Sequence, residues 1–591
     1  MRPPAEPGFP ANLALGTLVA IAVLSPWALG AVLPGTLLAV AAVALVAGAV
    51  ALVHGACRGG PVLPAVPLWP LAGLAAVFLL QLVPLPGVLH AILAPGSHAV
   101  WHPAAAEVAA VLGTAARPVS VDPDTTLRGI ALTGGLALLA LLAAPALSRS
   151  DRAVRAMAVV GVGGVALSAY AIFARARFGA LLYGTIAVPT VSPFGPFVNK
   201  NHFAGWIAMA TLLAAGLALG LADRARGRGG DWTTDPRSGG VILSIVAALA
   251  MALGGLASLS RGGTVALAAG VLCLVTLRLF RGGRPRGAGS VLRGRRAGPW
   301  PSLVLVGVLG SILVALVPPE ARERMRSLSG ASFRLDTWRD TLRLAASSPV
   351  LGHGLGAFHD AYPRFKRGHA TVRVEHAEND YLETLAETGG AGLALALLGF
   401  GLVLAAAGKG IAEGPDRAVR GIGTGALAAL AALAVHSAVD FDLRIPSNAA
   451  LAALAAAVAA GAAGVRPRPL ARAGALGLAA GALVLLASAA SLPDRPWLAA
   501  RQEVVQAVSS GAPAVRRLRL ERAEAALVRL LERRPAQAES WLLLAGTRAA
   551  LGDAASGAAL ARHAAWLDPE RPGLAEAVDR LSSTRTGSPP P

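Results

Sequence analysis

Apolar runs of 18 or more residues recur along most of the chain, and short polar or glycine-rich stretches separate them. As an α-helix, a run of this length spans the hydrocarbon core of a bilayer, which is roughly 30 Å thick. The pattern predicts an all-α, polytopic membrane protein of about 12 to 13 transmembrane helices. Thirteen spans fit it, with bounds near 13–33, 35–53, 67–86, 127–147, 154–173, 202–222, 240–259, 263–279, 301–317, 387–407, 421–439, 447–464 and 473–491.

Two longer polar segments divide and follow these spans, and they define the predicted domains. Residues 1–318 form an N-terminal group of about nine transmembrane helices, and residues 319–386 form a large extramembrane loop. Residues 387–491 form a second group of about four helices, and residues 492–591 form a soluble helical tail. Because a second apolar run follows the first at once, we interpret the first as a retained helix and not as a cleaved signal peptide.

Composition agrees with a membrane protein. Hydrophobic residues make up 55% of the chain, and the mean hydropathy is +0.60. The two cysteines, Cys57 and Cys273, are too few for a disulfide framework or a metal site. Abundant glycine and alanine suit close helix packing in lipid.

The net charge of +20 is large enough to suggest nucleic-acid binding, but the distribution of the charge gives another explanation. If the N-terminus is cytoplasmic, most arginines and lysines between spans fall in the inside loops. The short outside loops hold few, namely Arg117, Arg175, Arg177, Lys200, Arg261 and Arg444. By the positive-inside rule this charge sets the topology, so no nucleic-acid partner is expected. The large loop and the tail then fall on the outer side.

The tail has a repeat of 34 residues, the separation between Pro535 and Pro569. Trp541, Leu544 and Gly546 open one helix of the repeat, and a proline closes the next. This punctuation resembles tetratricopeptide repeats, and a plain helical hairpin is the alternative. In either case the tail carries no cluster of reactive groups, and we predict a packing or docking element that could receive a protein partner.

Polar residues are concentrated in four blocks near the predicted outer ends of spans, where polar groups are costly and indicate function. The first block, "GPFVNKNHFAGW", holds Asn199, Asn201 and His202. Its alternative interpretation is an interfacial helix start, with an asparagine as N-cap and Trp206 as an anchor at the membrane surface.

The second block, "SLSRGGT", places Arg261 in a tight turn between two spans. A guanidinium at that position could bind a phosphate bidentately. The alternative is an arginine that extends to the lipid headgroups.

The third block lies in the large loop and leads into the tenth span. Arg334 lies near the start of a predicted helix, and "GHGLG" is predicted to be a turn. If residues 376–388 are helical, one face could transfer protons, bind a metal or simply be solvated. The residues that would share this face are His376, Asn379, Asp380, Glu383 and Glu387.

The fourth block, "HSAVDFDLRIPSNAA", follows the eleventh span. His436 and Asp440 are one helical turn apart in it. Asp440 and Asp442, like Asp122 and Asp124, match the loose Asp-x-Asp pattern of nucleotide-sugar transferases. Both pairs are predicted on the outer side, where nucleotide sugars are not expected, so we do not assign a metal–nucleotide site to either.

The four blocks, in this order and with a large loop before the last spans, resemble the O-antigen ligase and O-antigen polymerase superfamily of bacterial inner-membrane proteins over roughly residues 10–465. The resemblance implies a glycosyltransferase that needs no metal or other cofactor and uses a glycan linked to undecaprenyl diphosphate. In ligases the glycan passes to the lipid A core. In polymerases it passes to another lipid-linked repeat, and related members glycosylate protein hydroxyls. It also implies that the large loop and the tail are periplasmic.

The resemblance also implies roles for individual residues. Arg261 and Arg334 match arginines thought to bind the donor diphosphate. The family has a histidine directly before the asparagine of "ENDYLETLAETG", where this chain has Glu378, and His376 lies two residues earlier. Either side chain could accept the proton of the attacking hydroxyl, and the sequence leaves both open. The residues expected to support the site are Asn199, Asn201, His202, Asn379, His436 and Asp440.

Two other functional classes remain as alternatives. A transporter of lipid-linked sugars would place ionisable groups near the middle of the bilayer, whereas here they cluster at one face. In a non-enzymatic assembly factor, the tail would do the work and the polar blocks would be incidental.

Overall fold

A computed structural model describes residues 8–58, 62–64, 66–113, 115–188, 192–226, 238–280, 331–368, 372–464, 468–492 and 496–583. The ninth predicted span, 301–317, and the first part of the large loop lie outside these residues. The helices up to residue 280 are α1 (Phe9–Leu24), α2 (Pro34–Arg58), α3 (Trp69–Leu80), α4 (Gly87–Leu93), α5 (Pro95–Trp101), α6 (Ala106–Leu112), α7 (Pro123–Leu147), α8 (Ser150–Phe178), α9 (Lys200–Arg226), α10 (Gly239–Ala257) and α11 (Arg261–Phe280).

Helices also make up most of the rest of the described chain. They are α12 (Ala331–Ser347), α13 (Phe358–Ala361), α14 (Asp380–Glu413), α15 (Arg417–His436), α16 (Pro446–Ala462), α17 (Arg472–Ala490), α18 (Pro496–Val508), α19 (Pro513–Leu531), α20 (Ala538–Ala550), α21 (Ala554–Leu567) and α22 (Leu574–Ser583). Short 3₁₀ turns occupy Ser25–Trp27, Leu29–Ala31, Tyr362–Phe365 and Asp442–Arg444. Two antiparallel pairs of two-residue strands complete the list: β1 (Val62–Leu63) with β4 (Arg468–Pro469), and β2 (Pro84–Leu85) with β3 (Arg117–Pro118).

In the described part of the chain, 10 helices are long and apolar enough to cross a membrane. They are α1, α2, α7, α8, α9, α10, α11, α14, α15 and α17. Each of them overlaps a predicted span. The spans predicted at 67–86 and 447–464 correspond to the shorter apolar helices α3, of 12 residues, and α16, of 17 residues. The predicted fold class, an all-α polytopic membrane protein, is therefore confirmed.

The chain divides into two compact units, each assembled from three separate segments. Unit 1 comprises residues 1–67, 131–329 and 399–486, and unit 2 comprises residues 68–130, 330–398 and 487–591. The predicted domain boundaries, which follow the order of the sequence, stay a prediction. The tail helices belong to the same compact unit as the described part of the large loop.

Close contact between α9 and α15 forms the centre of unit 1. A Cβ atom on Gly216 would lie 2.6 Å from the Cα of Gly425, and one on Gly220 would lie 2.5 Å from the carbonyl oxygen of Ala418. Only glycine fits at such distances. Small residues therefore let these two apolar helices pack backbone to backbone, as is common in lipid.

Unit 2 has a hydrophobic core to which both the loop and the tail contribute. Phe358 and Tyr362 of the loop and Trp541 of the tail are fully buried in it. The indole of Trp541 also donates a hydrogen bond to the carbonyl oxygen of Pro535, 2.7 Å away. This shared burial fixes the helices α19–α22 onto the loop by the same hydrophobic effect that stabilises a single domain.

Candidate functional site

The first block starts α9 with an N-cap. The side chain of Asn199 accepts a hydrogen bond from the backbone N–H of Asn201 at 2.9 Å, so the predicted N-cap is confirmed. The alternative interpretation of this block also made Trp206 an anchor at the membrane surface, and that part of it is wrong. Trp206 is buried within unit 1 and donates to the carbonyl oxygen of Ala22 at 3.2 Å, because its ring fills space between helices.

The first and second blocks are hydrogen-bonded to each other. The hydroxyl of Ser260 lies 2.8 Å from the side-chain oxygen of Asn201, and it accepts from the backbone N–H of Gly263. The ammonium group of Lys200 donates to the carbonyl oxygen of Leu259 at 3.3 Å. These contacts hold the turn before α11, so the position of Arg261, the first residue of α11, depends on the first block.

The fourth block packs against the same turn. A Cβ atom on Gly262 would lie 3.0 Å from the imidazole of His436, so the turn and the end of α15 touch. His436 Nδ1 lies 2.5 Å from Asp442 Oδ2, and both side chains are buried. The sequence suggested Asp440 as the neighbour of His436. The structure gives its direct hydrogen bond to Asp442, because the chain leaves the helix after His436 and turns back.

Asp440 instead pairs with the first block. Its carboxylate lies 3.4 Å from His202 Nε2. Burial alone would raise the pKa of Asp440, but the nearby imidazoles of His202 and His436 lower it to about 2. Asn448 completes the network by donating to the carbonyl oxygen of His202 at 2.9 Å and to Asp442 at 3.0 Å. Three of the four polar blocks thus form one buried network in unit 1.

The third block forms a separate cluster, in unit 2. The guanidinium of Arg334, on the first turn of α12, lies 3.1 Å from the carboxylate of Glu378. Both side chains are partly exposed. Glu378 has a φ of +54°, a left-handed conformation that is uncommon outside glycine and occurs where the surroundings fix the backbone. This backbone turn aims the carboxylate at Arg334.

His376 contacts a different carboxylate. Its Nδ1 lies 2.8 Å from Glu383 Oε1, and the backbone N–H of Ala377 donates to Glu383 Oε2 at the same distance. The sequence predicted that His376 shares one face of a helix that spans residues 376–388, and this is wrong for His376. The helix begins at Asp380, because the side chain of Asn379 caps it by accepting from the backbone N–H groups of its second and third residues. Glu383 reaches back over this helix start to His376.

Several site-shaping residues were not found from the sequence. Gln81 donates to the carbonyl oxygens of Leu351 and Glu387, at 2.7 Å each, and accepts from the backbone N–H of Leu355 at 3.0 Å. His353, in the predicted "GHGLG" turn, is buried and hydrogen-bonds the carbonyl oxygen of Ala386 through Nδ1. Burial lowers the pKa of His353 to about 4. Gln81 could have been noticed in the sequence as a polar residue that directly follows an apolar helix.

One group in the described part of the chain has the composition and spacing of a metal site. Ligand atoms of Asp122, His359 and Asp360, in unit 2, lie within 4.8 Å of one another. Arg534 of the tail lies 3.4 Å from Asp122, so a guanidinium already supplies positive charge there. None of these residues was predicted as a site residue, although Asp122 belongs, with Asp124, to one of the two Asp-x-Asp patterns.

The comparison with known families adds a match over part of the chain. Residues 246–397 match the family model Wzy_C, described as O-antigen ligase. The matched region contains Arg261, Arg334, His376 and Glu378, and it ends before the fourth block. No curated protein matches the sequence. This match covers about a quarter of the chain and supports the resemblance to the O-antigen ligase superfamily that the motifs had indicated.

Proposed function

We propose that this protein is an O-antigen ligase-like transferase that moves a glycan from undecaprenyl diphosphate to a hydroxyl of the lipid A core. The family match supports the coarser statement, glycosyl transfer of the ligase or polymerase type. We place the reaction at the periplasmic face of the bacterial inner membrane. The observation that carries the proposal is a pair of adjacent contacts inside the matched region, the ion pair of Arg334 with Glu378 and the hydrogen bond between His376 and Glu383.

Arg334 and Arg261 are the proposed ligands of the donor diphosphate. A guanidinium is always charged and can donate two parallel hydrogen bonds to a phosphate, which suits a pyrophosphate at a membrane surface. Arg334 already binds one oxyanion, the carboxylate of Glu378. In the reaction, oxygens of the diphosphate would bind Arg334 in place of that carboxylate or together with it. With this charge compensation, the proposed mechanism involves no metal ion.

His376 is the favoured general base. Its Nδ1 is engaged with Glu383, which holds the tautomer in which Nε2 is the basic atom. Glu378 is the weaker candidate, because Arg334 already binds its carboxylate. We therefore assign Glu378 to binding Arg334 until the donor diphosphate arrives, and His376 to accepting the proton.

In the chemical step one carbon–oxygen bond forms, another breaks, and one proton is transferred. The acceptor hydroxyl oxygen attacks the anomeric carbon of the donor sugar while its proton passes to Nε2 of His376. The bond between that carbon and the phosphate oxygen breaks, and its electron pair stays on undecaprenyl diphosphate. Arg334 and Arg261 stabilise the charge that develops on this leaving group.

The network of unit 1 has a supporting role in this scheme. Asn201, Ser260 and Gly262 hold the turn that ends at Arg261, and His436 packs beneath it. Two further contacts support the start of α9, which holds Asn201. They are the cap that Asn199 provides and the contact between His202 and Asp440. We expect these residues to act through the position of Arg261 and not by contact with the reacting atoms.

The proposal is tested by Arg261→Ala, Arg334→Ala and His376→Ala, with Arg339→Ala as the matched control. Arg339 lies on the same helix as Arg334 but is exposed, and it pairs with Asp336, 3.0 Å away. Surface polysaccharide is compared on gels at equal membrane abundance of each variant. Normal transfer by all three site variants would refute the transferase. Loss of long chains while single repeats stay attached to the lipid A core would identify a polymerase.

A further inference from the structure

Unit 2 contains a cavity, lined by both polar and apolar groups, that the proposed chemistry does not use. Its volume is about 460 Å³, within the range of ligand-binding pockets. The loop, at residues 359–366 and 372–374, lines one side of it, and the tail, at residues 536–539 and 568–572, lines the other. We call it the tail–loop cavity. The tail therefore forms half of a binding-sized pocket in addition to its packing role.

The charges that line the cavity are paired. Lys366 Nζ lies 3.7 Å from Asp568 Oδ1, Arg571 lies 3.3 Å from Glu539, and His359 lies 3.3 Å from Asp360. Each positive group thus has a negative neighbour. A wall of this kind offers many fixed donors and acceptors without a strong net field, so it favours a neutral polar ligand over an anion.

Two buried acceptor atoms on this wall lack a hydrogen-bond donor within the described residues. They are Oδ2 of Asp360 and Oδ1 of Asp568, and the second is too far from Lys366 for a hydrogen bond. Both residues are more than nine-tenths buried. Burial of such an oxygen without a donor is costly, and a structure that retains two of them at one cavity indicates a ligand that supplies hydroxyl donors.

The cavity also has apolar patches beside the polar groups. Pro363 and Val374 of the loop and Ala536 and Pro572 of the tail contribute them. A sugar ring presents hydroxyl groups at its edge and C–H groups on its faces. It therefore matches a wall of paired charges, orphan acceptors and small apolar surfaces.

The position of the cavity along the chain connects it to the proposed site. Val374 lines the cavity, and His376 is only two residues further on. Two residues extend a chain by at most about 7 Å. A saccharide in the cavity would therefore lie close to the proposed general base.

We propose that the tail–loop cavity binds sugar residues of the glycan near the bond that is formed or broken. The inference rests on the proposed transferase, because it takes the glycan as the ligand. Asp360 and Asp568 accept hydrogen bonds from sugar hydroxyls, and Lys366 and Arg571 donate to hydroxyl or ring oxygens. The tail would thus take part in recognition of the glycan.

The test measures binding separately from transfer. The full-length protein in lipid nanodiscs, which avoid sugar-based detergents, is mixed with defined disaccharides of glucose, galactose, mannose, rhamnose and N-acetylglucosamine. Binding is followed by saturation-transfer NMR. The variants are Asp360→Asn, Asp568→Asn and Val372→Trp, which fills the cavity from an exposed position. Glu521→Gln, in an exposed pair on α19, is the control.

We expect at least one disaccharide to bind, each of the three cavity variants to weaken it at least tenfold, and Glu521→Gln to leave it unchanged. His376→Ala should keep saccharide binding while it loses transfer. Equal saccharide binding by wild type and all cavity variants, or no binding to any protein, overturns the inference but leaves the transferase standing. Stabilisation by Ca²⁺, Mn²⁺ or Zn²⁺ alone, without a response to sugars, would assign the cavity to a cation and also overturn it. Normal transfer by His376→Ala would instead count against the proposed function.

Discussion

Glu383, in the first turn of α14, hydrogen-bonds His376, which precedes the helix. Glu383 Oε1 lies 2.8 Å from His376 Nδ1, and its second oxygen accepts from the backbone N–H of Ala377. The carboxylate is almost completely buried, whereas the imidazole is about one-third exposed. A buried carboxylate thus orients an accessible imidazole, as in other histidine-based catalytic pairs.

Replacement of Glu383 by glutamine is expected to lower the transfer rate while donor binding changes little. The amide keeps the shape but loses the charge that stabilises the protonated imidazole, so kcat should fall about 10²-fold or more. The measurement is transfer by the purified protein in nanodiscs over a range of donor concentrations. An unchanged kcat would remove His376 from the role of base. Glu375→Gln, an exposed neighbour, is the control.

Glu378→Gln separates the two candidate bases. If Glu378 only occupies Arg334, the variant weakens a competitor of the diphosphate, and the donor KM should fall a few-fold with kcat preserved. If Glu378 accepts the proton, kcat should collapse by about 10² to 10⁴-fold. Steady-state kinetics distinguish these outcomes, because the two explanations change different parameters. We expect the first result, since Arg334 lies 3.1 Å from Glu378.

Much of the fold follows from local sequence. Apolar runs long enough for a bilayer give the helices, and Asn199 is an N-cap both in the pattern and in the structure. Capping depends on residues two or three positions apart, so it can be read from the sequence. The four polar blocks could also be located, because polar groups beside apolar spans stand out.

The pairings within and between the blocks could not be read in the same way. Asn201 meets Ser260, and Gln81 meets the backbone near Leu351, only after distant segments pack. His436 is bonded to Asp442, six residues away, because of the path of the chain after α15. Helical periodicity carries no information about such contacts.

Breaking the buried pair of His436 and Asp442 should destabilise unit 1. Asp442→Leu leaves His436 and Asn448 without their partner in a buried site. We expect a loss of about 3–5 kcal/mol, measured as a lower midpoint of thermal unfolding. Asp151→Leu removes an exposed pair with Arg155, 2.9 Å apart, and should cost no more than about 1 kcal/mol. Equal midpoints for the two variants would contradict this.

Unit 2 should lose stability in mild acid. Burial lowers the pKa of His353 from 6.5 to about 4, so between these values the unfolded state binds more protons than the folded state. Stability from this group is therefore fully present above pH 6.5 and is lost as pH falls towards 4. His90 and His563 have similarly lowered pKa values and act in the same direction. His353→Gln should reduce the pH dependence of the unfolding midpoint between pH 6.5 and 4, and an unchanged slope would contradict the assignment.

Gly389 interrupts α14 in a conformation that other residues cannot adopt. Its φ of 66° and ψ of −175° belong to a region almost restricted to glycine. A Cβ atom there would overlap the carbonyl group of Val350, next to the turn that carries His353. Gly389→Ala should therefore displace this turn, cost about 1–3 kcal/mol of stability and reduce glycan transfer.

The same helix offers a matched control for that prediction. A Cβ atom on Gly401 would meet nothing within 4 Å, and this residue has no left-handed φ. Gly401→Ala should therefore stabilise the helix by about 0.5–1 kcal/mol, because alanine loses less backbone entropy than glycine. Thermal unfolding and transfer are measured for both variants at equal membrane abundance. If Gly389→Ala has the same unfolding midpoint and transfer activity as Gly401→Ala, then the break in α14 tolerates a side chain. In that case the break does not position the loop.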